Sequence, residues 1–331
     1  MGSSERTAMS VFKSRYYRVA AMRISIVIPN WNGARHLPVC LQALRTQTLP
    51  PHEVLLVDNA SADESLALIA RDFPEVRVIA LSSNLRFAGA CNAGIRASSG
   101  EAIALLNNDT EADLRWLERV AACFAAHPRA GFVASKLRLF DKRDRLHSAG
   151  DSYSSQGMPG NRGVWQVDDG RFDQEYVFGA CGAASVYRRS MLDVVGLLDE
   201  EFEFSCEDVD LSWRAQLAGY RCAFAHDAIV YHKVSATGGG ILNSYYDGRN
   251  FLWLLVKDVP GEILRARFGA IAATQLRITR DALRAWRGQA ARNRLKGQLA
   301  GLFGLPRMLR ARKAVQRSRV ISTEQVWKML E

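Results

Sequence analysis

AIALLNNDT, residues 102–110, sets an apolar run directly against a polar tip. Ala102–Leu106 has the length of a strand and no polar side chain, a pattern typical of strands buried on both faces of a parallel sheet. The tip carries one carboxylate, Asp109, beside the amides Asn107 and Asn108. Such a tip can hold a divalent cation against a diphosphate, although an Asx turn explains the same residues without a ligand.

Strand and helix patterns alternate on both sides of this run. Strands are predicted over Ile24–Pro29, Glu53–Val57, Val76–Leu81 and Phe132–Leu139, and helices over Gly33–Thr48, Ser61–Phe73, Ala88–Ser98 and Asp113–His127. Alternation of this kind predicts an α/β protein with a mostly parallel central sheet flanked by helices. Ligands of such sheets bind beyond the carboxyl ends of the strands, where polar residues stand in this sequence.

The pattern changes after residue 140. Residues 141–176 are rich in Gly, Asp, Ser and Arg and lack periodicity, which predicts a long loop over the active face. Strands are then predicted over Phe178–Tyr187 and Tyr220–His226, with a helix that starts at Ser205 between them. From residue 240 the chain is predicted to be helical to its end, with interruptions near Pro260 and Pro306.

Composition bounds the class of protein. With 48% hydrophobic and 24% charged residues, the chain is neither disordered nor fibrous. The six cysteines form no CxxC pair, which excludes a zinc or redox motif of that type. Residues 1–22 lack the apolar core of a signal peptide, and no apolar run approaches the roughly 20 residues that span a bilayer. We therefore expect a loose, disordered leader over 1–22, a main domain over 23–257 whose pattern changes near residue 140, and a helical tail over 258–331.

The tail carries the excess positive charge. Of a net charge of +10, residues 261–331 contribute 16 Lys+Arg against 4 Asp+Glu. Basic and apolar residues are interleaved in two stretches: Arg265, Arg267, Arg277, Arg280, Arg284 and Arg287 with Leu264, Ile271, Leu276, Leu283 and Trp286, then Arg307, Arg310, Arg312, Lys313, Arg317 and Arg319 after Leu302–Leu305. These favour basic amphipathic helices on an anionic membrane surface. A solvated helical face is the plainer interpretation, and no recognised module supports nucleic-acid binding.

Further candidate residues stand near other strand and helix ends. Asp58 and Asn59 close a strand and can bind a nucleoside, or Asp58 can simply cap the helix that follows, where Ser61 and Glu64 resemble a capping box. The segment NLRFAGACNAG (84–94) leads into a small-residue helix that suits either a phosphate or close helix packing. It is not a Rossmann fingerprint, and the chain has no P-loop.

Two candidates lie in the second half. Glu207 and Asp208 open a helix, where a carboxylate can face an acceptor hydroxyl as a general base. Their alternative role is to complement the helix dipole, which is the role we expect for Asp210. His232 follows an apolar strand and is a structural histidine or a ligand at the active edge.

Six segments together resemble family 2 glycosyltransferases of the GT-A fold, and more narrowly the bacterial rhamnosyltransferase-like branch that builds surface polysaccharides. They are SIVIPNWNG (25–33), VDNASAD (57–63), NLRFAGACNAG (84–94), LLNNDT (105–110), EDVDLSWR (207–214) and YHKVSATGG (231–239). The resemblance covers about Ile24 to Phe251 and implies the GT-A fold, a nucleotide-diphosphate-sugar donor, Mg²⁺ or Mn²⁺, and inversion by a single displacement. It also implies that the domain over 23–257 is catalytic, with a donor half over about 23–140 and an acceptor half over about 141–257.

The resemblance also implies roles for individual residues. Asp109 matches the last position of the family's acidic motif and is expected to bind the metal, with His232 completing the site. Asp208 matches the proposed catalytic base, and Glu207 stands beside it. The donor is expected to contact Pro29, Asn30, Asn32, Asp58, Asn59, Arg86, Ala88, Asn92 and Asn108.

One position departs from the family pattern. The first acidic residue of the motif is replaced by Asn107, which leaves one carboxylate where two are often found and predicts a weaker or more His232-dependent metal site. The Gln-x-x-Arg-Trp motif of processive synthases is absent, which indicates transfer of one or a few sugars.

These observations predict a metal-dependent inverting transferase that moves a sugar, rhamnose from dTDP-rhamnose being one candidate, to a lipid-linked or polysaccharide acceptor. It is expected to be cytoplasmic and peripheral on the inner face of the plasma membrane, with no nucleic-acid partner. A nucleotidyltransferase and a catalytically weak nucleotide-sugar-binding protein are the alternatives. The sequence does not fix the oligomeric state.

Overall fold

Ten of the twelve strands form one sheet. The computed structural model describes residues 22–234 and 240–330; the leader predicted over residues 1–22 therefore lies outside the described part except for Met22, as do residues 235–239 of the YHKVSATGG segment. The strands are β1 (Ile24–Asn30), β2 (Glu53–Asp58), β3 (Arg77–Ala80), β4 (Ala102–Leu106), β5 (Thr110–Ala112), β6 (Ala130–Leu139), β7 (Leu146–Ser148), β8 (Asp151–Tyr153), β9 (Pro159–Asn161), β10 (Tyr176–Val177), β11 (Ala184–Arg188) and β12 (Arg221–His232).

The four strands β3, β2, β1 and β4 lie side by side and parallel. Their register pairs Asn30 with Asp58 and Val27 with Leu105, so their polar ends meet at one edge. The predicted strand Ala102–Leu106 is confirmed with its bounds, and all five of its residues are buried. This part of the sheet is the predicted parallel core.

The sheet beyond β4 is mixed. The strand predicted over Phe132–Leu139, β6, does not lie next to β4, because β11 inserts between them and is antiparallel to both. On its other side β6 pairs in parallel with β12. The strand predicted over Tyr220–His226 is in fact β12, which runs on to His232. The last residues of β12 pair with β5, which is antiparallel to it. This pairing brings His232 to the end of β4.

The helices cover both faces of the sheet. They are α1 (Leu37–Arg45), α2 (Ser65–Asp72), α3 (Arg86–Ala97), α4 (Trp116–Ala126), α5 (Arg189–Val195), α6 (Glu207–Leu217), α7 (Ile241–Lys257), α8 (Gly261–Arg284), α9 (Gln289–Arg317) and α10 (Thr323–Trp327), with a 3₁₀ turn at Glu200–Phe202. Successive strand residues point to opposite faces, so Ile26 and Ile28 enter one core and Val27 the other. Burial of this apolar surface is the main force that holds the layers together.

Some predicted boundaries were wrong. The expected capping box does not form, because the Ser61 hydroxyl binds Asn30 and the backbone N–H of Asn32, and α2 starts four residues later. Helix α3 begins at Arg86 instead of Ala88, and α6 at Glu207 instead of Ser205. The predicted loop 141–176 contains the short strands β7, β8 and β9.

The tail packs on the core along one side. Helix α9 lies against α7, and the approach is so close that a Cβ at Gly297 would stand 2.0 Å from the carbonyl oxygen of Tyr245. Met308 and Val315 of α9 join the core cluster around Trp253. Pro260 precedes α8 as predicted, but Pro306 lies inside α9 without ending it, because tertiary contacts hold the helix on both sides.

In residues 22–234 and 240–330, none of the helices combines the length and the apolar character needed to cross a bilayer.

Candidate active site

The polar ends of β1, β2 and β4 form one hydrogen-bonded network. The amide of Asn30 stands at its centre: its Nδ2 donates to Asp58 Oδ1 at 3.2 Å, and its Oδ1 accepts from Asn108 Nδ2 at 2.7 Å. A Cβ at Gly33 would lie 2.1 Å from Asn108 Nδ2, so glycine is required for this pair. The network fixes the floor of a cleft of about 380 Å³.

The predicted donor residues divide into those that line the cleft and those behind it. The cleft is lined by Pro29, Asn30, Asn59, Arg86 and Asn108, together with Trp31, which the sequence did not single out. The remaining four do not line it. Asp58 accepts from the Ser61 backbone N–H, Asn32 accepts from the Ala62 N–H, Ala88 is buried, and Asn92 binds the backbone of Leu198.

Asn59 holds the segment that carries Arg86. Its Nδ2 donates to Asn84 Oδ1 and to the Arg86 carbonyl at 3.0 and 3.1 Å, and its Oδ1 accepts from the Leu85 N–H at 2.7 Å. Arg86 has a φ of 62°, in the left-handed region that a residue with a side chain rarely adopts. Asn59 therefore holds a strained turn that presents the Arg86 guanidinium to the cleft.

Asp109 and His232 meet at the end of β4. Asp109 Oδ1 and His232 Nε2 are 3.2 Å apart, and both residues are buried. The other ring nitrogen of His232, Nδ1, lies 3.0 Å from His147 Nδ1. Burial, and then the neighbouring His232, lower the pKa of His147 to about 3, so its ring is neutral. His147 comes from β7, in the region without periodicity, where nothing in the sequence pointed to it.

These residues fit a divalent cation. Mg²⁺ and Mn²⁺ bind oxygen ligands from one or two carboxylates together with substrate phosphates, and His nitrogen is a common further ligand. The Oδ1 atom of Asn107 is buried and has no hydrogen-bond partner among the described residues, so the amide oxygen at the substituted position is free to bind. No group of three His, Cys, Asp or Glu side chains in the described part of the chain is arranged to hold an ion by itself.

Glu207 and Asp208 line the same cleft. Burial raises the pKa of Asp208, although the N–H groups of Gly182 and Val209 each donate to its carboxylate at 2.8 Å and oppose the rise. Burial and then the charge of Asp208 raise the pKa of Glu207 well above its usual range. The Oε2 of Glu207 has no partner among the described residues. Of the two, Asp208 is the carboxylate that ionises first.

Asp210 points away from the cleft. It is completely buried and pairs with Arg214 at 2.7 Å and with Lys257 of α7. Burial alone would raise the pKa of Asp210, but the two cations lower it. Asp210 does lie in the first turn of α6, where the expected role is to complement the helix dipole, and it also anchors α6 to α7.

Helix α7 holds the loop before α6, a contact that the sequence analysis missed. Asn250 Nδ2 lies within 2.7–3.0 Å of the carbonyl oxygens of Phe202, Phe204 and Ser205. Arg249 pairs with Glu203 at 2.8 Å and donates to the Phe202 carbonyl. The held loop contains three strained residues with φ of 60–71°, Glu203, Ser205 and Cys206. This clamp, formed by Arg249 and Asn250, fixes the loop that presents Glu207 and Asp208.

A family comparison explains this arrangement. Residues 25–196 match the family described as glycosyl transferase family 2. The chain belongs to this family. Membership confirms the resemblance seen in the sequence and selects glycosyl transfer over nucleotidyl transfer.

The individual relatives are similar to this chain at low sequence identity. The O-antigen biosynthesis protein RfbC of Myxococcus xanthus is 26% identical over 238 residues, which are 68% of this chain but 18% of that protein. This chain thus spans less than a fifth of RfbC. The N-acetylglucosaminyl-diphospho-decaprenol L-rhamnosyltransferase of Mycobacterium tuberculosis is 24% identical over 65% of this chain and 78% of its own length. These relatives confirm the rhamnosyltransferase-like character of the chain and its similarity to proteins of glycan synthesis.

The fold has solved counterparts. The mannosyltransferase PcManGT of Pyrobaculum calidifontis, solved with GDP-Man and Mn²⁺, superposes with a TM-score of 0.53 and 15% identity, covering 99% of this chain and 96% of the other. At this identity the likeness concerns the fold, which is the predicted GT-A fold.

Proposed function

We propose that this glycosyltransferase is inverting and depends on a divalent cation, and that it moves a sugar from a nucleotide diphosphate to a lipid-linked or polysaccharide acceptor. The observation that carries the proposal is the cleft itself. It is lined by Asn107, Asp109 and His232 and also by Glu207 and Asp208. A leaving diphosphate needs a cation to stabilise its growing negative charge, and an attacking hydroxyl needs a carboxylate to accept its proton; the two groups of residues offer these.

Asp208 is the general base in this proposal. As the acceptor oxygen forms its bond to the anomeric carbon, Asp208 accepts the hydroxyl proton, and the bond from that carbon to the phosphate oxygen breaks. One displacement of this kind inverts the anomeric configuration. Glu207 stands beside Asp208, and because burial raises the pKa of Glu207 well above its usual range, its protonated carboxyl would donate a hydrogen bond to the acceptor.

The nucleotide-sugar donor and its cation would be bound by residues that already contact one another in the cleft. Asp109 and His232 would hold the cation, with the Asn107 oxygen beside them. When bound, the cation stabilises negative charge on the leaving phosphate oxygens. Arg86 adds a guanidinium for a charge-assisted contact to the diphosphate, and Asn30, Asn59 and Asn108 offer amides to the nucleoside and sugar.

A relative supports one choice of sugar and acceptor. It is a rhamnosyltransferase acting on a decaprenol-linked substrate, so rhamnose from dTDP-rhamnose and a lipid-linked acceptor are the choices proposed for this chain. With such an acceptor the protein would act on the inner face of the plasma membrane.

A transfer assay tests the proposal. The full chain is incubated with a panel of nucleotide-diphosphate sugars that includes dTDP-rhamnose, with a lipid-linked acceptor, and the anomeric configuration of the product is read by NMR. EDTA is expected to stop transfer and Mn²⁺ or Mg²⁺ to restore it. Asp208→Asn should lower the rate roughly 10²–10⁴-fold, the usual contribution of a general base. Asp193→Asn, on the exposed surface of α5, is the matched control.

Two results would contradict the proposal. Undiminished transfer by Asp208→Asn would remove the assigned base. Donor binding without turnover, in every metal tested, would instead favour the catalytically weak nucleotide-sugar-binding protein.

A further inference from the structure

The outward sides of α8 and α9 carry large apolar side chains that nothing in the described chain covers. Phe303 is 86% exposed, and five further residues are more than half exposed. We call this surface the outer tail face, and it consists of Leu276 and Leu283 on α8 with Leu299, Leu302, Phe303 and Leu309 on α9. Exposed apolar patches of this kind on a folded protein mark interaction sites.

The two helices present these residues side by side. Thr279 of α8 accepts a hydrogen bond from Gln298 Nε2 of α9 at 2.9 Å. Leu276 and Leu283 stand three and four residues from Thr279, and Leu302 stands four residues from Gln298, so they occupy the same helix sides as the bonded pair. The hydrogen bond therefore joins two apolar rows into one surface.

Positive charge surrounds the apolar rows. Arg280 lies one turn from both Leu276 and Leu283, Lys296 lies one turn from Leu299, and Arg310 follows Leu309; all three are exposed. From residue 261 to residue 330 the acidic residues are Glu262, Asp281 and Glu324, and Asp258 before them is fully buried. Apolar side chains that enter the headgroup region, ringed by Lys and Arg, are the signature of a helix lying on an anionic bilayer.

Charge also decides between possible occupants. The chain's own leader, residues 1–21, carries four Lys+Arg and one Asp+Glu and would be repelled. A second copy of the same surface is equally basic. Anionic lipid is the partner whose charge complements it.

The start of α9 lies beside a helix that reaches the cleft. Asn293, near the start of α9, donates to the carbonyl oxygen of Ile241 at 3.2 Å. Ile241 and Leu242 begin α7 and are both exposed, and Leu242 lines the cleft. The helix that carries most of the outer tail face is thus bonded to a segment that lines the cleft.

We propose that the outer tail face docks on an anionic bilayer and holds the acceptor side of the cleft at the lipid surface. This inference rests on the proposed function, because docking on a bilayer serves the enzyme when its acceptor is linked to lipid. The docking itself needs neither donor nor acceptor. In this proposal the residues of the outer tail face are the ones that contact lipid. Leu264 and Ile271, which are also interleaved with arginines in the sequence, instead pack partly buried on the core.

Vesicle flotation of the full chain tests the proposal. The probes are vesicles of phosphatidylcholine alone and vesicles containing phosphatidylglycerol, at low and at high salt. We expect flotation with the anionic vesicles at low salt, reduced by salt because the Debye length shortens. The double variant Leu302→Ser with Phe303→Ser and the charge variant Arg280→Glu with Arg310→Glu should each weaken partitioning about tenfold or more. Val194→Ser, an equally exposed apolar position on α5, is the control and should float as the wild type does.

The variants are first shown to keep the wild-type melting temperature and donor affinity in solution, so failure of docking is separate from failure of the transferase. Equal flotation with both vesicle types, or none with either, would overturn the proposal. So would a dimer, seen by light scattering without lipid, that the Leu302→Ser and Phe303→Ser double variant dissociates, since a second copy would then be the occupant.

Discussion

Replacing Asn250 by alanine should unfold the acceptor side of the site first. The Asn250 side chain is fully buried, and its Nδ2 faces three carbonyl oxygens of the 202–205 loop. An amide has two N–H hydrogens, so two of these oxygens are fully bonded at a time. A buried carbonyl that loses its donor costs about 1–3 kcal/mol, so we expect the free energy of unfolding to fall by about 2–5 kcal/mol.

The loss should affect catalysis as well as stability. The loop contains Glu203, Ser205 and Cys206 at positive φ, a conformation that persists only while its surroundings enforce it. Without the clamp the loop relaxes, and Asp208 no longer faces the acceptor. We therefore expect kcat to fall by more than the affinity for the nucleotide donor, because Asn250 is outside the donor network. The loop does touch the donor side, since the Glu203 carbonyl accepts from the Phe87 N–H at 3.2 Å and its carboxylate lies 3.9 Å from Arg86.

Urea denaturation and donor titration measure these effects. Asn293→Ala is a matched control, since Asn293 makes one exposed bond to a carbonyl at 3.2 Å and its loss should change stability by within about 0.5 kcal/mol. Asn250→Asp preserves the shape but faces the carbonyls with a carboxylate, so it should be at least as destabilising as Asn250→Ala. A loss of under about 1 kcal/mol in Asn250→Ala, with kcat retained, would refute the clamp.

Three more outcomes follow from the geometry. Asp109→Ala should abolish Mn²⁺ binding measured by calorimetry and reduce transfer more than any other change at the tip; retained Mn²⁺ affinity would contradict its role. Gly297→Ala should lower the melting temperature by several degrees because its Cβ would meet the Tyr245 carbonyl at 2.0 Å, whereas Gly269→Ala, with open space, should not. Because folding raises the pKa of Asp208, its ionised carboxylate lowers the free energy of unfolding. Asp208→Asn should therefore stabilise the protein at pH 7, and melting curves should show this gain vanish below about pH 3.9, where the carboxyl is protonated in both the folded and the unfolded state.

Local pattern predicted the donor half of the fold well. Ala102–Leu106 is a continuous apolar run, and the strand has those bounds. The place of β11 was not predictable in the same way, because strand order depends on pairing between residues far apart in the chain. Ser61 shows the same limit at one side chain. The local sequence predicts that its hydroxyl caps a helix, but in the structure the hydroxyl accepts from Asn30, the last residue of β1, and from the Asn32 N–H just after it.

The site divides along the same line. Asp109 and Asp208 were recognisable because each stands in a motif at the end of a strand or the start of a helix. Their partners were not. His147 comes from a segment without periodicity, and it reaches His232 only because β7 pairs with β6 beside β12. Asn250 lies in the middle of a helix, where an asparagine gives no signal of the loop it holds.

Helix α7 connects the tail helix α9 to the loop that presents Asp208. One side of this helix carries Arg249 and Asn250, which hold the loop before Asp208, and its last residue, Lys257, pairs with Asp210 on α6. Its other side receives α9 across Gly297, and Asp247 pairs with Arg294 of α9 at 3.1 Å. The tail therefore does more than carry positive charge: it supports the helix that positions the proposed base. A force on α9 from a membrane surface would act on the acceptor side of the cleft through these contacts.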